Sequence, residues 1–142
     1  MYTSPLVIEK TYNASIKKVW QALTEPGEME KWYFDIPDFR PVIGHEFQYF
    51  GGAEDEKWNH LFKITDVIPE KKLSYSWRYE NLPGLSEITF ELFEEGDNTR
   101  LRLTHTGLES FLEIKDDRFA RKSFTEGWEM ILGTSLKAHL EK

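Results

Sequence analysis

His45, His60, His105 and His139 are the four histidines of the chain, and any proton transfer near neutral pH would fall to them. None shows the close two-histidine spacing of a zinc site, and no cysteine is present to complete one. No metal and no cofactor are therefore expected. His60 and His105 occupy strand positions that point inward. Each is either a neutral core histidine with its ring bonds satisfied, or a polar handle in an apolar pocket that bonds a ligand carbonyl or hydroxyl. Catalysis would require an acid or nucleophile facing the same ring. Asp66 and Glu46 are near only along a strand, so no catalytic residue is assigned and the reading leans away from an enzyme. "GGAEDE" lacks the lysine and following helix of a phosphate loop and reads as a hairpin turn. "EEGD" and "KDD" do not fit a calcium loop.

The rings are more informative. Ten Phe, six Tyr and five Trp make the chain 15% aromatic. Phe47, Tyr49, Trp58, Tyr75, Trp77, Phe90 and Trp128 converge on one face. The residues that must pack opposite, Ile131, Leu132 and Leu136, are bulky, which favours unfilled space between them. The expected ligand site is Phe47, Tyr49, Trp58, His60, Tyr75, Trp77, Phe90, His105, Trp128 and Ile131. Gly127 directly precedes Trp128 in "GWEMILGTSLKAHLEK". It is read either as a point of close backbone approach or as a flexible joint.

Hydrophobic periodicity supplies the elements that hold these residues. "LVIEKTY" alternates as a strand. In "NASIKKVWQALTEP", Ile16, Val19, Trp20 and Leu23 form one helical stripe, with Asn13 or Ser15 as cap and Pro26 ending the helix. Thr24 could cap a second short helix, "PGEMEKWYF", that turns Met29 and Trp32 inward. "DIPDFRPVIGH" reads as loop. Five strands follow: "HEFQYF", "KWNHLFKITDVI", "LSYSWRY", "SEITFELFEE" and "TRLRLTHT". Short turns such as "PEKK", "NLPG" and "EGDN" join them. "EIKDDRFARK" reads as a solvated loop. A final helix carries Phe124, Trp128, Ile131, Leu132, Leu136 and Leu140 on its inner side. The order β-αα-βββββ-α places helices on one side of an antiparallel sheet, an α+β domain.

The 142 residues suit a single domain, 1–142, with 39% hydrophobic and 30% charged residues. The net charge of −7 argues against nucleic acid or an anionic membrane as the main partner. No apolar run is long enough for a membrane span, and "MYTSPLVIEK" does not resemble a signal peptide, so the expected location is cytoplasmic.

Three stretches together resemble a known family. "ASIKKVWQALTEPGEMEKWYF" is similar to the opening of AHSA-type proteins, named for the activator of the heat-shock-protein-90 ATPase. The matching residues are Val19, Trp20, Leu23, Thr24, Pro26 and Trp32. "DVIPEKKLSYSW" resembles the family's proline-turn hairpin, and "LTHTGL" with "GWEMILGTSLKAHLE" its last strand and final helix. The resemblance implies a START-like helix-grip fold, in which a curved antiparallel sheet wraps a long C-terminal helix around a cavity. It implies a small hydrophobic or aromatic ligand, held by a monomer or weak homodimer. The alternatives it implies are a stress-response module that stimulates a heat-shock chaperone ATPase, and a cyclase- or hydrolase-like enzyme using the same cavity. The chaperone role rests in eukaryotic relatives on a further N-terminal domain, for which this length leaves no room. Fold carries over more safely than function, because the superfamily hosts many functions.

Overall fold

The computed structural model describes residues 4–53 and 56–142. Strand β1 (Leu6–Tyr12) is followed by helices α1 (Ile16–Thr24) and α2 (Pro26–Trp32). Five strands come next: β2 (Glu46–Ala53), β3 (Glu56–Ile68), β4 (Lys72–Tyr79), β5 (Ser86–Glu95) and β6 (Asn98–Thr106). They form one six-stranded sheet in the order β1-β6-β5-β4-β3-β2, and every neighbouring pair is antiparallel. This is the expected helix-grip arrangement. The period of two decides which face is covered. Along β4, Leu73, Tyr75, Trp77 and Tyr79 are buried; along β6, Thr99, Leu101, Leu103 and His105 are buried. Register aligns these sets, with Tyr75 opposite Ile88 and Phe90 opposite Leu103. Each fully buried aliphatic or aromatic side chain here contributes on the order of 1.5–3 kcal/mol. "GGAEDE", expected as a turn throughout, is strand at Gly51–Ala53 in β2 and at Glu56 in β3, and its residues 54–55 lie outside the described residues.

Helix α1 is capped by Ser15, whose Oγ accepts from the Lys18 N–H at 3.2 Å. Val19, Ala22 and Leu23 are its most buried apolar side chains; Ile16 and Trp20 are half-buried at the border of the stripe. Pro26 ends α1 by holding Glu25 in extended geometry, and then serves as the first residue of α2. Thr24 does not cap α2 as expected. Its hydroxyl donates back to the Trp20 carbonyl at 2.8 Å, the usual alternative for a threonine inside a helix. The Trp32 indole donates to the Ala22 carbonyl at 2.8 Å and ties the two helices together.

The expected solvated loop after β6 is structured instead. A 3₁₀ helix (Leu108–Ile114) buries Leu108 and Phe111, and a second (Asp117–Phe119) buries Phe119. Charges at "KDDR" mask a segment whose aromatic residues pack inward. Helix α3 (Arg121–Met130) then runs without interruption through a π-helical segment (Ile131–Leu136) into α4 (Lys137–Leu140). The wide turn accommodates one residue more than an α-helical turn, and Leu132 and Leu136 both stay fully buried. The Tyr12 hydroxyl donates to the Leu132 carbonyl within that segment at 2.7 Å. Lys10 pairs with Glu129 at 2.7 Å, and Lys18 Nζ donates to the Leu140 carbonyl at 2.9 Å. These contacts hold the helix across β1 and α1. Among the described residues, no helix is long and apolar enough to cross a membrane.

Candidate functional site

Helix α3 does not close completely on strands β3 and β4. The space between them is a cavity of about 510 Å³. Trp58 and His60 from β3 and Trp77 and Tyr79 from β4 form its sheet wall, while Phe124, Gly127, Trp128 and Ile131 form its helix wall. Phe34 and Phe119 close two sides, and Arg118 and Met130, both exposed, stand at its solvent end.

Rigid rings keep the space open. Trp77 and Trp128 meet at 63° with centroids 5.8 Å apart, and Trp58 and Phe119 meet edge-on at 4.9 Å. Trp32, Tyr33, Phe34 and Tyr49 form a continuous stack with successive centroids 4.9, 4.3 and 4.3 Å apart. Such rings have two torsions each and already rest on neighbours, so they cannot fold inward to fill a void. Gly127 supplies the remaining room. A methyl group built on it meets no atom within 4 Å, so this glycine does not allow a close backbone approach, contrary to one expectation. It is an omitted side chain in the cavity wall.

Besides Arg118 and Ser123, polar atoms of His60, Trp77 and Tyr79 interrupt this largely apolar lining. The His60 Nδ1 lies 3.0 Å from the Tyr49 carbonyl and 3.1 Å from the Trp58 carbonyl. Both are acceptors, so Nδ1 carries the proton and Nε2 holds a lone pair. Burial holds the His60 pKa below the ordinary histidine value, against a smaller opposing effect of the two carbonyls, so the ring is neutral. The Trp77 Nε1 is buried without an acceptor. The Tyr79 hydroxyl lies close enough for the indole to favour its ionised form slightly, but not in bonding geometry. Burial dominates and pushes the Tyr79 pKa up, so this hydroxyl stays protonated.

His105 lies behind the wall. Its Nδ1 accepts the Trp128 indole N–H at 3.1 Å, and its Nε2 is 2.9 Å from the Ser86 Oγ. An indole only donates, so Nδ1 is bare and Nε2–H donates to Ser86. The Ser86 hydroxyl in turn donates to the Trp77 carbonyl at 2.9 Å. Every member of this chain is satisfied within the protein, and burial pushes the His105 pKa down to about 3.

Of the ten expected site residues, Trp58, His60, Trp77, Trp128 and Ile131 line the cavity. Phe47, Tyr75 and Phe90 are packed core, and the Tyr75 hydroxyl donates to the Tyr33 hydroxyl at 2.8 Å. Tyr49 lies beneath Phe34, and His105 supports Trp128 from outside the lining. The expectation missed Phe34, Tyr79, Phe119 and Phe124. The alternation of β4 extends one step from Trp77 to Tyr79 and marks that residue. Nothing periodic marks Phe34 or Phe119. A second depression, about 350 Å³, lies on the outer face of the sheet among solvated residues such as Glu46, Lys63 and Arg78. Among the described residues, no group of three or more metal-ligating side chains gathers.

The family model of the activator of Hsp90 ATPase homolog 1-like proteins matches residues 13–141. Similar solved structures include a protein of Mesorhizobium loti, 26% identical, with a TM-score of 0.77 over 97% of each chain. CalU16 of Micromonospora echinospora is 29% identical, with a TM-score of 0.71 over 96% of this chain and 76% of that one. A Rhizobium loti protein, 24% identical with a TM-score of 0.81, covers 96% of both chains and shows the shared fold. No curated protein matches the sequence significantly.

Proposed function

Because the chain belongs to the activator of Hsp90 ATPase homolog 1-like family and keeps an aromatic cavity beneath its last helix, we propose that it binds a small hydrophobic or aromatic ligand there. One observation carries this reading: the cavity is walled by rings in mutual contact, while Gly127 leaves a helix position beside it empty. A core selected for packing alone would fill that position, since a buried methylene contributes about 0.8 kcal/mol. Ring faces and edges in fixed positions suit a flat apolar molecule, which gains contact area without ordering the wall. His60, Trp77 and Tyr79 are the neutral polar groups through which such a site would orient its ligand.

Titration with Nile red tests the reading. Binding should raise the melting temperature, by the equivalent of about 2.7 kcal/mol at a hundred times the dissociation constant. It should also shift the emission of Trp58, Trp77 and Trp128. Gly127→Trp, which places a ring in the gap, should abolish both effects in a folded protein. Dye binding that survives Gly127→Trp would place the ligand elsewhere and defeat the proposal. Stimulation of a heat-shock ATPase, the activity in the family's description, is the alternative reading; it predicts an activity that Gly127→Trp leaves intact.

A further inference from the structure

The polar atoms of the cavity form an incomplete hydrogen-bond chain. At one end, the buried Trp77 N–H has no acceptor among the described residues, and the Tyr79 hydroxyl is near enough for the indole to bear on its ionisation. At the other end, His60 gives its only proton to the Tyr49 and Trp58 carbonyls. Its Nε2 lone pair therefore has no donor among the described residues. The Tyr79 hydroxyl likewise makes no bond in good geometry among them. The His60 and Tyr79 rings stand 4.9 Å apart between centroids, and the His60 and Trp77 rings 5.6 Å apart. All three residues line the cavity, and Trp77 and Tyr79 are each about 95% buried or more.

Trp77 and Tyr79 supply protons and the His60 Nε2 takes one, and what the row lacks is a group between Tyr79 and His60 that accepts from the one and donates to the other. We infer that the ligand presents a neutral hydroxyl to His60 and Tyr79, as a phenol or an alcohol on an apolar body would. This rests on the proposed ligand-binding role and specifies the chemistry of its ligand. With the hydroxyl in place, Trp77 N–H donates to the Tyr79 oxygen after a small adjustment of that ring. Tyr79 O–H donates to the ligand oxygen, and the ligand O–H donates to the His60 Nε2. The fixed tautomer of His60 gives the row its direction. An ether offers no proton to the Nε2. A carboxylate offers none either, and would lose its hydration among the rings, since Arg118 stands at the solvent end of the cavity and not beside His60 and Tyr79 in the row. A plain hydrocarbon leaves the Tyr79 proton and the His60 Nε2 lone pair without partners, at the cost of unpaired polar groups.

A matched series separates these cases: naphthol, methoxynaphthalene, naphthalene and naphthoate, measured by isothermal titration calorimetry on the wild-type protein. Naphthol should bind about tenfold more tightly than naphthalene or methoxynaphthalene, as one well-made buried hydrogen bond implies. Naphthoate should bind most weakly. In His60→Phe, and to a lesser degree in Tyr79→Phe, the ratio of naphthol to naphthalene affinity should fall towards one. Naphthalene binding with no preference for naphthol would overturn the inference and leave the apolar-ligand reading standing. A preference that survives His60→Phe would overturn it as well. Failure of the whole series to bind would overturn both. The wild-type series gives its answer whether or not a variant folds.

Discussion

The indole of Trp128 donates to the Nδ1 of His105 across 3.1 Å, joining α3 to β6 through the interior of the sheet–helix interface. The bond fixes the plane of the indole, so Trp128 presents a set face to the cavity while its polar edge is satisfied behind it. It also fixes the histidine tautomer, because the proton must sit on the nitrogen facing Ser86.

His105→Phe should therefore cost stability rather than affinity. The Trp128 N–H would lose its acceptor in a buried setting, a loss of about 1–3 kcal/mol. Urea melts should show that decrease, while ligand affinity per folded molecule stays within about twofold. A variant of unchanged stability with lost binding would instead place His105 in the ligand site.

Acid should destabilise the fold earlier than its carboxylates alone would. His105 and His60 are neutral in the folded state, with pKa values below the 6.5 of an unperturbed histidine. Below that value the unfolded chain takes up protons that the folded chain refuses, so stability falls as pH falls. The contribution of His105 is complete above 6.5 and is lost progressively down to about 3. Each group adds at most about 1.4 kcal/mol per pH unit. Glu9 and Glu141 are held below the usual 4.5 by neighbouring cations, so their share of the loss begins lower. Between about pH 6.5 and pH 4.5 the slope should belong mainly to the histidines. Urea midpoints across that interval should flatten in the His60→Phe, His105→Phe double variant.

Gly127→Ala should stabilise the protein. The position is helical, its methyl group meets nothing within 4 Å, and alanine restricts the unfolded chain. The gain should be about 0.5–1 kcal/mol in thermal or urea unfolding. Affinity for bulky apolar probes should fall in the same variant, since the methyl group enters the cavity. A loss of stability would mean that the glycine relieves a contact absent from this structure.

The architecture was legible because periodicity is a local property. Alternation through Leu73, Tyr75 and Trp77 marked β4, the spacing of Val19 and Leu23 marked α1, and Pro26 marked its end. These patterns, with the order of elements, are enough to identify a sheet that needs a helical cover. What the cover leaves open was not legible. The burial of Phe119 depends on Trp58 and Tyr79, distant in sequence, and its charged neighbours gave the opposite signal. Gly127 could be read as a site of close approach until the tertiary structure showed vacant space around it. His60 and His105 share a residue type and an inward strand position. Only the third dimension separates them, because a histidine's role depends on what meets its second nitrogen. For His105 both nitrogens meet protein groups. For His60 one meets two backbone carbonyls and the other meets no donor among the described residues. Hydrogen-bond saturation is a property of neighbours brought together by folding, and no spacing along the chain encodes it.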